Sequence, residues 1–267
     1  MQKSQNLKIS VAIPTFNSSN YLTMCINSVF KNKVVNEIVI HDDYSDVENY
    51  NKILKIANDF DKKIDIRVIR SKKNYGAFIN KYNNIKECSN ELIYQLDSDN
   101  ASYLNLDPII DEIFEEDESK NLYIPSKIYQ FYKNPKRSKF LSRFNKKYQV
   151  IYTHGDFVFT NDEIKSEINN LDKFTVDKNI NWVLNSGNFI CNKNQFITTI
   201  SDKIDFDIRY PLDAVAISYF WIENEGVIKT LKNLYHFHRK RSDSVSFTES
   251  EGSYESLQNF RKKFLEL

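Results

Sequence analysis

The chain has 267 residues, of which 41% are hydrophobic and 14% aromatic, a content that excludes general disorder and supports a compact globular fold. Its 37 basic residues nearly balance 36 acidic ones, for a formal net charge of +1. The overall charge therefore gives no indication of binding to nucleic acid or to a strongly acidic partner, and any charged site must be local.

Four short apolar runs in the first 110 residues are typical of buried strands. They are KISVAI (8–13), EIVIHD (37–42), DIRVIR (65–70) and ELIYQL (91–96). Helical patterns alternate with them. Strands and helices that alternate in this way connect through right-handed crossovers, so the sequence predicts an α/β fold: a Rossmann-like, mainly parallel sheet with helices on both faces.

Each of the helices is marked by apolar spacing and by residues suited to its start. The first contains Leu22, Cys25 and Ile26 at spacings of three and four. The starts are Ser18, Ser19 or Asn20 for the first helix, Ser45 or Asp46 for the second (about 46–59), residue 76 for the third (about 76–88), and Asp107 with Pro108 for the fourth.

The second half of the chain is less regular. It predicts strands at 121–131, 150–160, 186–193 and 235–240, and a helix at 210–226 that is closed by Gly226. The sequence has no internal repeat and no linker rich in Gly, Ser or Pro. One α/β domain with an elaborated second half is therefore favoured over two separable domains.

Carboxylates follow two of the predicted parallel strands. Asp42 and Asp43 end the second strand, Asp97 ends the fourth, and Asp99 lies just beyond. Ligands of such sheets bind beyond the carboxyl ends of the strands. If the backbone stays extended, Asp97 and Asp99 share one side and Ser98 faces away.

Two like charges this close favour a hard divalent cation with oxygen ligands, Mn²⁺ or Mg²⁺. Such ions keep several waters and take other ligands from substrate phosphates, so a metal diphosphate fits the position. An Asp-Ser-Asp turn that only ends a strand and caps the next segment fits the same spacing.

Four segments, in this order and spacing, resemble the N-terminal half of the family 2 glycosyltransferases of the GT-A fold. They are SVAIPTFNSSNYLTMCINSVF, NEIVIHDDYSD, NYGAF and LIYQLDSDN. The resemblance covers roughly residues 8–107 and implies an inverting transferase that uses a nucleotide diphosphate sugar. It divides a single GT-A domain into a nucleotide-sugar-binding half (1–110) and an acceptor-binding half with the C-terminal segment (111–267).

The resemblance also implies site residues. In the family's arrangement Asp43 accepts a hydrogen bond from the base, Asp97 lies near the ribose or the sugar, and Asp99 binds the metal that bridges the diphosphate. The implied donor-binding residues are Pro14, Thr15, Phe16, Asn17, Asp43, Lys81, Asp97 and Ser98.

The chain departs from the family pattern in three places. The family often has an Ala-Arg-Asn run after the N-x-G turn, where this chain has Asn80, Lys81 and Tyr82. Lys81 keeps the positive charge. Tyr44 replaces a glycine after the two aspartates, and Asn100 replaces a second acidic residue after the metal motif.

Inverting transfer needs a base that takes the proton of the acceptor hydroxyl. The family places it as an aspartate at the start of the helix after an acceptor-side strand, and SGNFICNKN and RYPLDAVAISYFW resemble that pair. This implies Asp213. An aspartate that only complements the helix dipole is the alternative, and Asp205 and Asp207 lie close enough in sequence to displace the assignment.

The segment LYHFHRKRSDSVSF resembles the family's late Y-x-x-H…S-x-S stretch, which selects His238 as the histidine near the metal. His236 would share its side of a strand and is the competing choice. The run from Arg239 to Arg241 is suited to phosphate, although such a run is also an ordinary solvated surface.

Between Lys133 and Lys147 lie seven basic residues and no acidic one. The stretch predicts contact with anionic lipid, with a lipid-linked diphosphate or with an anionic glycan acceptor, and a mobile basic loop is the alternative. Trp182 and Trp221 are candidates for stacking on sugar rings or for the core.

The three cysteines are odd in number and far apart, which fits neither a disulfide framework nor a zinc site. The N-terminus has no apolar targeting segment, and no stretch reaches the roughly 18 apolar residues of a membrane span. We therefore expect a cytoplasmic protein, with attachment to the inner face of the membrane left open.

The strand-end carboxylates and the family resemblance together imply a metal-dependent inverting glycosyltransferase, and the resemblance by itself implies bacterial surface polysaccharide or lipopolysaccharide synthesis. A UDP-sugar is expected as the donor because UDP is the more frequent nucleotide in the family. The expected acceptor is a hydroxyl of a glycan or of a lipid-linked molecule. One alternative is a nucleotide-sugar-binding protein without transfer. Another is a phosphatase of haloacid-dehalogenase type, whose D-x-D lies on the first strand and continues with Thr or Val where Ala101 stands here.

Overall fold

The computed structural model describes most of the chain, from residue 8 onward. The described residues are 8–60, 64–103, 106–116, 119–131, 148–153, 158–160, 162–163, 183–210, 212–239, 259–260, 262–263 and 266.

The first half alternates strands and helices as the sequence predicts. Its strands are β1 (Ile9–Thr15), β2 (Val35–Asp42), β3 (Asp65–Arg70), β4 (Leu92–Gln95) and β5 (Ala101–Tyr103). Its helices are α1 (Ser19–Val29), α2 (Val47–Asn58), α3 (Ala77–Glu87) and α4 (Asp107–Glu116). Only β5 was not predicted.

The second half contributes five further strands and two α-helices that lie wholly within the described ranges. The strands are β6 (Asn121–Phe131), β7 (Tyr148–Thr153), β8 (Val158–Phe159), β9 (Phe189–Asn192) and β10 (Val227–Arg239). The helices are α5 (Lys193–Ile200) and α6 (Asp213–Glu223), with a short 3₁₀ turn (Ser201–Lys203) after α5.

The described strands form one mixed sheet in the order β3-β2-β1-β4-β9-β6-β10-β5, with β7 beside β6 and β8 beside β10. The first four strands in this order are parallel, as predicted. Strand β9 is antiparallel to both β4 and β6, and β6 is parallel to β10. The second half therefore departs from the parallel pattern while completing the same sheet.

The side-chain period of two in β1 explains why both faces of the sheet are covered. Ile9, Val11 and Ile13 pack into a core with α1, α2 and α4. Ala12 points the other way, into a core with α3, α5 and α6. All seven residues of β1 are buried, as expected for a central strand with helices on both sides.

Several boundaries in the second half differ from the sequence predictions. Strand β9 begins only at Phe189, because residues 186–188 form a loop, and α5 follows where no helix was predicted. The strand predicted at 150–160 is two strands on different partners. The late strand begins at Val227 rather than 235, and the last helix spans Asp213–Glu223 rather than 210–226.

Candidate active site

The strands that carry the predicted site residues end at one edge of the sheet. Thr15 at the end of β1 pairs with Asp42 at the end of β2, and Ala12 pairs with Gln95 of β4. A cleft of about 710 Å³ opens beyond these ends. The residues predicted from sequence that line it are Pro14, Thr15, Phe16, Asn17, Asp43, Lys81, Asp97, Ser98, Asp99, Asp213, His236, His238 and Arg239.

The two aspartates that follow β2 shape the backbone of this edge. Asp42 accepts from the backbone N–H and the hydroxyl of Ser45. The Asp43 carboxylate accepts from the backbone N–H groups of Tyr75 (2.9 Å) and Gly76 (2.8 Å). Burial raises the pKa of Asp43 above its ordinary value although these donors lower it. Asp43 thus links the N-Y-G turn to β2, in addition to its predicted hydrogen bond with the base of the nucleotide.

The wall beneath the cleft is built by the loop from Pro14 to Asn17. Phe16 is 46% exposed, so its ring faces the open side. Asn17 takes a left-handed conformation (φ 47°), and its side-chain oxygen accepts from the backbone N–H of Asp46, 3.0 Å away. Because Asp46 also caps α2 through the backbone N–H of Asn49, the wall is fixed to the start of that helix.

The Asp-Ser-Asp segment is a turn, which decides between the extended backbone and the turn that the sequence left open. The backbone N–H of Asn100 donates to the carbonyl of Asp97 at 2.9 Å, which closes a β-turn. The Ser98 hydroxyl is buried and lies 2.7 Å from the hydroxyl of Ser18, itself 2.8 Å from that of Thr15. Asp97 and Asp99 line the same cleft because the turn presents them, and not because a strand alternates.

Lys81 of α3 lies between two carboxylates from opposite halves of the chain. Its Nζ is 3.0 Å from Asp97 Oδ1 and 2.6 Å from Asp213 Oδ2, and it donates to the carbonyl of Gly187 at 3.2 Å. Its side chain is 4% exposed. Burial opposes the charge, but the two carboxylates together outweigh burial and raise the pKa of Lys81.

Asp213 is the first residue of α6 and reaches the cleft from the second half of the chain. Its side chain is 20% exposed. The competing candidates Asp205 and Asp207 lie outside the cleft lining, on an exposed segment before α6. The helix start therefore places Asp213, of these three, within reach of a ligand in the cleft.

Burial, Lys81 and two neighbouring aspartates set the ionisation of Asp97. Burial raises the pKa of the Asp97 carboxyl to about 6, opposed by Lys81 and reinforced by the negative charges of Asp213 and Asp99. Its side chain is 29% exposed, toward the cleft. A carboxyl with this pKa carries a folding penalty when it is ionised at neutral pH.

We expect Asp97→Asn to remove part of the pH dependence of stability. The folded-state pKa of about 6 lies above the reference 3.8, so the folded state keeps a proton that the unfolded state has lost between these values. This contribution is therefore full below about pH 4 and lost as pH rises through about 6, on the order of 2 to 3 kcal/mol. Urea unfolding of both proteins from about pH 4 to about 7.5 measures it, and parallel curves would contradict it.

Comparison with known proteins agrees with this arrangement. A family model described as glycosyl transferase family 2 matches residues 10–166, more than half of the chain. The chain belongs to glycosyl transferase family 2. A protein described as an uncharacterized glycosyltransferase, MG060 of Mycoplasma genitalium, is 35% identical over 97 residues, which are 35% of this chain and 32% of that protein.

Solved structures of S. aureus TarS (1–349) share the fold of this family 2 chain. The complex with UDP has a TM-score of 0.58 and the complex with UDP-GlcNAc 0.60, both at 18% identity. The match covers 95% of this chain but only 64% and 65% of those chains. The GT-A architecture expected from sequence is therefore confirmed. Family membership excludes the phosphatase alternative.

The cleft also meets the chemistry of a divalent ion that is held mainly by substrate. Asp99 and His238 both line it. Within the described ranges, no three His, Cys, Asp or Glu side chains are grouped to hold a metal alone. Mg²⁺ and Mn²⁺ often use one or two protein carboxylates and complete their coordination with substrate phosphates, so Asp99 and His238 have the donor types that would hold such an ion.

The end of the late strand β10 is hydrogen-bonded to the Asp-Ser-Asp turn. The backbone N–H of Arg239 donates to Asn100 Oδ1 at 3.0 Å, and its Nε donates to the carbonyl of Asp99 at 3.1 Å. Its guanidinium lies 4.4 Å from the ring centroid of Tyr21. Arg239 is buried and makes these contacts rather than facing outward as a solvated surface residue.

Sequence reasoning missed the loop before β9. Gln95 of β4 pairs with Phe189 of β9, and the same antiparallel register extended by two residues sets Asp97 opposite Gly187. The backbone N–H of Asp97 donates to Asn188 Oδ1 at 2.7 Å. A Cβ on Gly187 would lie 2.7 Å from Asp97 Oδ2. The Ser-Gly-Asn string was visible, but its pairing with β4 was not.

Some predicted features lie elsewhere. The stretch Lys133–Lys147, Trp182, and residues 240 and 241 lie outside the described residues. Trp221 is fully buried and its indole N–H donates to the carbonyl of Lys120, so it belongs to the core. All three cysteines are buried and free. Among the helices that the structure describes, none has the length and apolar character to cross a membrane.

Proposed function

We propose that the chain is an inverting glycosyltransferase that moves a sugar from a UDP-sugar to a hydroxyl of a glycan or lipid-linked acceptor. One observation carries this proposal: the donor motifs at the ends of β1, β2 and β4 and Asp213 of the acceptor half line the same cleft. UDP is favoured over other nucleotides because the TarS structures that share the fold contain UDP and UDP-GlcNAc.

The donor half supplies shape and hydrogen bonds. The nucleotide lies against the loop Pro14–Asn17, where the exposed ring of Phe16 offers an apolar surface. Asp43 sits at the end of β2 with two backbone donors on its carboxylate. Each carboxylate oxygen has a second lone pair, which leaves capacity for an N–H of the base.

The acceptor half supplies the base. In a single displacement the acceptor oxygen bonds to the anomeric carbon as the bond from that carbon to the diphosphate oxygen breaks. The proton of the hydroxyl passes to Asp213, and the electron pair of the broken bond leaves with the nucleotide diphosphate. General-base help of this kind contributes roughly 10²- to 10⁴-fold to the rate.

The charge on the departing diphosphate calls for a cation. A divalent ion held by Asp99, with His238 as a further ligand, would neutralise that charge as a Lewis acid. His236, buried beside it with ring centroids 6.3 Å apart, remains the competing histidine. In this proposal Asp97 lies near the sugar and is not a metal ligand, because its carboxylate is paired with Lys81.

We expect UDP with Mn²⁺ to raise the melting temperature of the wild-type protein, and Asp99→Ala to abolish most of that rise. At 100 times the Kd, binding adds about 2.7 kcal/mol, or roughly 5 to 10 °C for a chain of this size. Thermal unfolding with UDP, GDP, dTDP and CDP, each with and without Mn²⁺, measures this. Asp111→Ala, on an exposed position of α4, is the matched control.

The outcomes separate the parts of the proposal. Stabilisation by UDP that is independent of metal and of Asp99 would support the nucleotide site and refute the metal site. No shift with any nucleotide would refute the donor site. UDP binding without hydrolysis of any UDP-sugar or transfer from it would favour the alternative of a binding protein.

The acceptor class is the least constrained part. We propose a bacterial surface polysaccharide or lipopolysaccharide intermediate, and contact of the basic stretch 133–147 with the inner face of the membrane. The support is the net charge of that stretch in the sequence and the family to which the chain belongs. Sedimentation with vesicles containing anionic lipid, compared with neutral vesicles, tests the membrane contact.

A further inference from the structure

We propose that Lys81 is a positioning residue that holds the base Asp213 against the donor-side Asp97, and that it is not a ligand of the donor diphosphate. This inference rests on the proposed function, because it assigns Asp213 the role of base. The family resemblance implied that Lys81 contacts the donor, and the role proposed here differs from that one.

The first step is that the charge of the Lys81 ammonium group is already compensated by oxygen atoms around it. Its Nζ lies 2.6 Å from Asp213 Oδ2 and 3.0 Å from Asp97 Oδ1, and it donates to the carbonyl of Gly187 at 3.2 Å. Two carboxylates thus face a single positive charge, so a diphosphate would have to compete with them for it.

The second step is the rigidity of the place from which Lys81 reaches. Helix α3 begins directly after the turn that Asp43 holds through Tyr75 and Gly76. Its neighbour Asn80 lies 2.7 Å from the His41 ring nitrogen through its side-chain oxygen. Lys81 is thus buried on a helix that is anchored to the sheet, which fixes the point from which its side chain reaches the cleft.

The third step is the location of its partners. Asp97 follows β4 in the donor half, Gly187 precedes β9, and Asp213 begins α6 in the acceptor half. Lys81 is the group through which these three segments meet at the cleft. Without its charge, two partly buried carboxylates would face each other uncompensated, and the Asp213 side chain would turn away from its present position.

The test uses Lys81→Met, which keeps an unbranched side chain and removes the charge. With UDP-GlcNAc, UDP-glucose and UDP-galactose as donors and water as acceptor, kcat is expected to fall roughly 10- to 100-fold, because a misplaced base costs rate. The KM for the donor and the affinity for UDP with Mn²⁺ are expected to stay within about threefold. Lys81→Arg, which restores the charge, is expected to recover kcat to within about tenfold of wild type.

The opposite split would overturn the inference. A tenfold or greater loss of UDP affinity in Lys81→Met, with kcat unchanged, would make Lys81 a diphosphate ligand. Equal loss of rate in Lys81→Met and Lys81→Arg would also count against it. If Lys81→Met melts below the assay temperature, Lys81→Gln carries the same comparison. Wild-type UDP binding and donor hydrolysis are the references: the absence of both refutes the proposed function, whereas the variants judge only Lys81.

Discussion

Replacing Asp213 with asparagine is expected to lower kcat for sugar transfer, or for hydrolysis of the donor, by roughly 10²- to 10⁴-fold. The amide has the same shape as the carboxylate but cannot take the proton of the attacking hydroxyl. UDP affinity is expected to stay within about threefold, because Asp213 lies in the first turn of α6 and in none of the motifs proposed to bind the nucleotide. Steady-state kinetics and UDP titration measure the two quantities.

The matched controls are Asp205→Asn and Asp207→Asn, the two aspartates that compete with Asp213 in sequence. Both are exposed and lie outside the cleft lining, so each variant is expected to keep wild-type kcat within about threefold. A large loss in either control, together with an active Asp213→Asn, would move the base to the other aspartate. Retention of more than about a tenth of the rate in Asp213→Asn would remove it as the base.

Gly187→Ala is expected to lower kcat/KM by roughly 10- to 100-fold with little loss of stability. The new Cβ would lie 2.7 Å from Asp97 Oδ2 and 3.2 Å from Lys81 Nζ. The carboxylate must therefore move by several tenths of an ångström, and small displacements of reacting groups cost rate steeply. Kinetics with a UDP-sugar and a thermal melt of the same sample measure both effects.

Gly226→Ala is the matched glycine control, because its new Cβ would crowd the core and not the cleft. Its Cβ would lie 2.4 Å from Trp221 Cδ1 and 2.5 Å from the Trp221 backbone carbonyl oxygen. Overpacking against a buried indole and fixed backbone is expected to cost about 1 to 3 kcal/mol of stability. The folded variant should keep wild-type kcat/KM. If Gly187→Ala lost stability as Gly226→Ala does while keeping its activity, the crowding of Asp97 would not matter to the reaction.

The part of the site that sequence predicted best lies at the ends of β1, β2 and β4. These strands were recognisable because their apolar runs and intervening helical spacing are local patterns. Once the strands are parallel, their carboxyl ends meet at one edge, so Thr15, Asp43 and Asp97 had to come together. The four motifs also carried the family resemblance, which the match over residues 10–166 confirms.

Open alternatives and errors arose where a local pattern has two solutions. Asp97-Ser98-Asp99 fits an extended strand end or a β-turn, and the hydrogen bond from Asn100 to Asp97 selects the turn. Helix α5 was missed because it follows β9 with no loop, starting at Lys193 with Asn192 as its cap. For Trp221 the residue type allowed a sugar contact or a place in the core, and the burial of α6, which is apolar on nearly all sides, decides for the core.

The sequence by itself determined the fold class, the family and the donor edge of the cleft, because burial periodicity and strand-end motifs are written in neighbouring residues. Only the tertiary structure decided how the donor and acceptor halves meet. The antiparallel pairing of β9 with β4 brings Gly187 to Asp97, 90 positions apart in the printed numbering, and α6 brings Asp213 to Lys81. Such contacts depend on strand register and helix packing across the whole sheet, and a single sequence carries no local signal for them.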